Sequence, residues 1–156
     1  MFIPNRLMGW IAPLGVVALL CGTALSQGRG PVIDVHVHTS PSNYALLSDI
    51  LASTGISRFV NLSGGTPGQG LEKSLDAARQ YDGRILVCAN LDWGSIRRPN
   101  FGPRQAALLR QAHAPGARCL KISKALGLGV QDPSSPDKLL KVDDSRLDPI
   151  WAAAGA

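Results

Sequence analysis

The stretch VIDVHVHTS, residues 32–40, sets His36 and His38 one residue apart inside an apolar run. On an extended strand, residues two apart point to one face, so Asp34, His36 and His38 share a side while Val35 and Val37 take the other. Two imidazoles about 6–7 Å apart along one face can converge on a single metal ion. Zinc suits such a nitrogen pair best, with manganese or iron as the alternatives. Two titratable rings on a buried strand need partners to offset their desolvation, which favours ligands over a pair of core histidines.

Other chemistries fit the sequence less well. No G-x-S-x-G motif is present, and with the paired histidines assigned to metal there is no Ser/His/Asp set. The loop GGTPGQGLEKS, residues 64–74, lies between a strand and a helix, but Lys73-Ser74 arrives two residues too late for a phosphate-binding loop. It reads as a flexible strand-to-helix loop on the functional edge. No dinucleotide fingerprint, CxxC pair or zinc-finger spacing occurs. Asn90 and Asp92 close a strand and either cap it or face a pocket walled by Trp93. His113 sits at a helix C-terminus, where a surface histidine is favoured by the helix dipole.

The elements that must position these residues follow from periodicity. Strand-length apolar runs alternate with helical segments, the pattern of βα units around a parallel sheet. Strands are expected over 32–38, 56–62, 85–91 and 119–123. Ser40-Pro41 opens a helix whose stripe is Leu47, Ile50, Leu51 and Thr54, with Gly55 at its end. Thr66 and Gln69 have capping-box spacing ahead of the stripe Leu71, Ser74, Leu75 and Ala78. Pro103 opens a third helix that Pro115-Gly116 closes. Residues 131–146 read as a long polar loop before Asp148-Pro149 starts a last helix. The sequence stops within the second turn of that helix, which predicts part of a longer domain. The histidines fall at the carboxyl end of the first strand, the edge where α/β folds build their sites.

Residues 1–26 read as a signal peptide, with Arg6 ahead of an apolar run, no acid, and Ala24-Leu25-Ser26 before a cut at Gln27. The chain is therefore expected to be exported, to the periplasm or the medium, leaving residues 27–156 as the domain with no stable membrane span. The formal net charge of +5 falls by one with Arg6 and is too mild to indicate nucleic acid. From Trp93 to Gln131 the charges are all basic, a solvated face or a surface that attracts an anionic small-molecule substrate. Cys88 and Cys119 lie in apolar runs and are expected as buried free thiols, although export would permit a disulfide.

The motif IDVHVH followed by alternating units resembles the opening of the amidohydrolase superfamily, and specifically its amidohydrolase-related branch, which also contains decarboxylases. ARCLKISKALGLG and VDDSRLDPIWAAAGA are similar to segments such proteins carry ahead of a later metal histidine. The resemblance implies a TIM-type (β/α)8 barrel, of which about the first four βα units are present. It implies that His36 and His38 bind the catalytic metal and that Asp34 supports them. A metal-activated water would attack an amide, ester or related carbon centre, with decarboxylation as a variant of the same site. Further metal ligands and a catalytic aspartate come from later strands in that family, so the active site is expected to be incomplete. In some members a carboxylated lysine of the fourth strand bridges two metals. Lys121 matches it better than Lys124, beside readings as a salt-bridged, substrate-facing or plain surface lysine. DVHVHTS also resembles the opening of PHP-type metal-dependent phosphoesterases, though Pro41-Ser42-Asn43 stands where Ser-Asp-Gly often follows. A third reading, from another class, is a non-catalytic or degenerate metal-binding fragment that self-associates through uncovered strand edges.

Overall fold

The structure is a computed structural model that describes residues 30–156. The signal-peptide reading of residues 1–26 and the cut before Gln27 lie outside the described residues.

Four strands, β1 (Val32–Val37), β2 (Ile56–Asn61), β3 (Ile85–Asn90) and β4 (Cys119–Lys121), form one parallel sheet in the order β1-β2-β3-β4. Successive strands are joined by α1 (Tyr44–Ser53), α2 (Leu71–Ala78) and α3 (Phe101–His113). Gly55 ends α1 at φ +79, the left-handed conformation that a residue without Cβ adopts freely. The capping-box reading of Thr66 does not hold. Gly70, at φ +92, occupies the N-cap of α2 with no side-chain cap, while Thr66 bridges to Gln69 within the loop.

The barrel expectation is overturned. The sheet is open, with β1 and β4 at its two edges, and beyond β4 the described chain adds no further strand to it. A kinked helical turn, α4 (Ala125–Leu128), follows instead. Next comes an antiparallel hairpin of β5 (Gln131–Asp132) and β6 (Ser135–Leu139), where the sequence suggested a loop. Helix α5 (Asp148–Ala154) then packs on α3. The fold is an α/β domain built on a four-stranded parallel sheet. The barrel was implied by the resemblance; alternating βα periodicity is common to every parallel α/β sheet and carries no information on closure.

Along β2 and β3 the alternate residues Phe59, Ile85, Val87 and Ala89 join Tyr44 and Leu75 in one buried cluster under α1 and α2. A second cluster gathers Phe101, Leu126, Leu140, Leu147 and Ile150 around the C-terminal elements. Arg146 links these to the hairpin, its guanidinium bonding Asp144 and Asp132 at 2.7 Å each.

Two further expectations change. Strand β1 is an exposed edge and not a buried strand, with Val32, Ile33 and Val35 at 49, 40 and 67 % exposure. Cys88 and Cys119 are not free thiols but a disulfide. They are lateral neighbours in the β3–β4 register with Cα atoms 4.4 Å apart, a juxtaposition that only strand pairing creates. No helix among the described residues is long and apolar enough to cross a membrane.

Candidate metal centre

The two histidines stand at the carboxyl end of β1, with their Nε2 atoms 3.2 Å apart and ring centroids separated by 5.2 Å. Two nitrogens that each bind a tetrahedral zinc at about 2.05 Å lie about 3.3 Å from one another. The spacing of the rings therefore matches two corners of such a site.

The alternation of β1 is interrupted between Asp34 and Val37. Asp34 and Val37 register with Phe59 and Asn61, three steps on β1 against two on β2, so a bulge interrupts the strand just where His36 lies. Asp34 accepts the backbone N–H of His36 at 3.0 Å through Oδ1 and stabilises that bend. It supports the pair through the backbone, with no bond to either ring.

His38 is oriented from its other nitrogen. Nδ1 lies 2.8 Å from Ser63 Oγ, and when it donates its hydrogen there, Nε2 keeps the lone pair that faces His36. Two lone pairs at 3.2 Å repel each other unless a hydrogen on His36 Nε2 or a shared cation lies between them.

Ser63 is aimed by Asn61, which is fully buried at the end of β2. The Asn61 carboxamide oxygen accepts the N–H groups of Ser63 and Thr39 at 3.0 and 3.3 Å. Its Nδ2 donates to the Thr39 carbonyl at 3.1 Å and the Tyr44 hydroxyl at 2.9 Å. One side chain thus ties the exits of β1 and β2 to α1. Burial pushes the Tyr44 phenol up, against the opposing effect of its bonds to Asn61 and Ser74. Asn61 and Ser63 went unnoticed in the sequence. The signal was an asparagine, a poor strand former, inside the apolar run FVNL.

The remaining candidates separate. Asn90 staples the glycine loop, accepting the Gly65 N–H at 3.0 Å and donating to the Leu62 carbonyl at 3.2 Å. Its role is the strand-end one, and it makes that loop anchored where a flexible one was expected. Asp92 begins a short turn in which its carbonyl accepts the Ser95 hydroxyl at 2.8 Å. Trp93 stacks on Phe101 and, with Arg97, lines a separate cavity. Lys121 is half-buried in register with Asn90, and neither it nor Lys124 forms an ion pair among the described residues. His113 is exposed at the last position of α3.

Beside His38 opens a cleft of about 540 Å³ lined by Ser40, Ser63, Gly64, Gly65, Gly70 and Lys73 among others. A Cβ at Gly64 would run into the carbonyl oxygen of Cys88, so the floor of the cleft lies directly on β3. Among the described residues no group of three or more His, Cys, Asp or Glu side chains gathers to hold a metal. The donors present fit a nitrogen-accepting divalent ion through His36 and His38 alone, leaving further coordination positions for solvent or substrate. No protein-family model, curated protein or solved structure matches this chain.

Proposed function

We propose that the chain carries two metal ligands, His36 and His38, of an exported metal-dependent hydrolase of amidohydrolase type. The observation that carries this reading is the 3.2 Å approach of the two Nε2 atoms. A divalent ion at that point, zinc before manganese or iron, supplies Lewis acidity that polarises a carbonyl and activates water toward an amide, ester or related carbon centre. The protein's own part is orientation. Ser63 fixes the His38 ring, Asn61 fixes Ser63, and Asp34 holds the His36 backbone through its N–H. Decarboxylation at the same pair is the variant chemistry. The Cys88–Cys119 disulfide supports export, because such bonds persist in oxidising compartments.

The test is metal content by elemental analysis of the purified full-length chain after dialysis, beside the His36→Ala/His38→Ala double variant. Near-stoichiometric zinc, manganese or iron that disappears in the double variant is the expected result. A folded wild type that retains no metal, or a double variant that retains it equally, overturns the assignment.

A second reading, a non-catalytic metal-binding domain, draws on the lack of a third ligating residue among the described residues. The exposed apolar residues of the unpaired β1 edge support self-association in either case. Metal binding without hydrolysis of any amide, ester or lactone offered favours the second reading.

A further inference from the structure

The Cys88–Cys119 bond joins two sulfur atoms of unequal access. Cys88 is 2 % exposed within β3, whereas Cys119 is half-buried on β4, an edge strand only three residues long. Cys119 also lines a cavity of about 400 Å³ between α3, β4 and the end of α5, and Cys88 does not. Thiol–disulfide exchange needs a thiolate to reach one of the two sulfurs, and access decides which. Here that sulfur is the one of Cys119.

The walls of the cavity favour one kind of thiol. Arg110 and His113, from the last turn of α3, line it together with Arg118, the residue before Cys119. Leu109, Ala117 and Leu120 make the rest of the lining apolar. No acidic side chain lines it, and none of the three basic residues forms an ion pair among the described residues. A recess with basic residues and apolar walls concentrates small anions. The same residues favour the thiolate, which is the attacking form, over the thiol.

We propose that this disulfide is an exchange site for small thiols that carry a carboxylate, entered through the α3–β4 cavity and attacked at Cys119. The thiolate sulfur bonds to Cys119 Sγ as the Cys88–Cys119 bond breaks. The electron pair leaves on Cys88 Sγ, which takes up a proton because its buried position favours the neutral thiol. A second thiolate then attacks the mixed disulfide and leaves as the small-molecule disulfide, and Cys119 takes up the second proton. Two small thiols are thus oxidised as one protein disulfide is reduced. The site is separate from the histidine pair and does not depend on the metal reading.

The experiment follows reduction of the oxidised full-length chain by mercaptopropionate, mercaptoethanol and cysteamine, an anionic, a neutral and a cationic thiol. Each rate is divided by the same thiol's rate toward a small neutral disulfide, which removes differences in intrinsic reactivity. The anionic thiol is expected to lead the neutral one by about tenfold or more at low ionic strength. Arg110→Gln/Arg118→Gln should abolish that lead and Arg110→Lys/Arg118→Lys should keep it. Acid quenching, alkylation and peptide mapping should place the thiol adduct on Cys119 and the alkyl group on Cys88. Equal normalised rates for the three thiols, or a lead that survives in the neutral variant, overturns the proposal. An adduct on Cys88 does so equally. So does a rate that climbs steeply with urea below the unfolding transition, because the bond is then reached only when the domain opens. The adduct map and the urea series use the unaltered chain, so they decide the matter even where a variant fails to fold.

Discussion

The Asn61 carboxamide oxygen lies 3.0 Å from the N–H of Ser63, two residues along its own chain, and that bond aims the hydroxyl which meets His38. Asn61 is fully buried and also serves Thr39 and the Tyr44 hydroxyl, so no solvent replaces it when it is cut away. Asn61→Ala should cost about 2–3 kcal/mol, the penalty for leaving buried polar groups without partners. Urea denaturation followed by circular dichroism checks it, and a loss within about 0.5 kcal/mol, the level of an ordinary surface change, would refute the hub role.

Ser63 is a different case, because it is exposed and touches the site at one atom. Ser63→Ala should leave the denaturation midpoint almost unchanged while weakening zinc binding about 10–100-fold, the usual cost of removing the partner that orients a ligating imidazole. Competition with a chromophoric chelator measures it. Unchanged zinc affinity would mean that His38 is oriented by something other than Ser63.

The disulfide closes a segment with a sequence separation of 31 residues. Chain-entropy arguments give a stabilisation of about 3–4 kcal/mol for a loop of that size. The Cys88→Ser/Cys119→Ser variant should unfold at correspondingly lower urea, and the reduced wild type should match it. A variant as stable as the oxidised wild type would show that the strands pair equally well without the bond.

Acid stability should depend on the Asp144–Arg146 pair. The hydrogen bonds from Arg146 hold the Asp144 carboxyl at about 2, against an ordinary value of 3.8. A depressed carboxylate stabilises the fold fully above its unfolded value, and that contribution is lost as pH falls through the folded one. Asp144→Asn should therefore flatten the fall in stability between pH 3.8 and about 2, leaving a smaller total at neutral pH. Urea midpoints at a series of pH values test this, and parallel curves for the two proteins would contradict it.

Gly64→Ala should destabilise the domain by about 1–3 kcal/mol, because its methyl group meets the Cys88 carbonyl on a backbone that cannot swing aside. Gly68→Ala, at φ +77 with open space around it, should show only the smaller cost of a left-handed backbone. Equal effects at the two positions would argue against the close packing of the cleft floor on β3.

Much of the local structure was readable in advance. The four parallel strands and the helices between them follow from apolar period and from Pro and Gly punctuation, and β2, β3 and α2 fall close to where those signals put them. What depends on partners was not readable. The sulfur pairing of Cys88 with Cys119 is a matter of lateral register, and the exposure of β1 depends on what lies beyond its edge. Sheet closure is of the same kind, since each βα unit reads alike in an open sheet and in a barrel. For the site, the histidine spacing suggested convergence, and the two Nε2 atoms lie 3.2 Å apart. The bulge between Asp34 and Val37 was not readable, because it is visible only once β2 supplies the ruler.

The bond between Cys88 and Cys119 makes a closed ring of chain that contains the whole of α3. A protease that cuts once anywhere in residues 89–118 leaves two polypeptides still joined, migrating near the position of the intact chain until a thiol is added. In an oxidising milieu the domain would carry such a scar invisibly, and its age could be read as the fraction that splits on reduction.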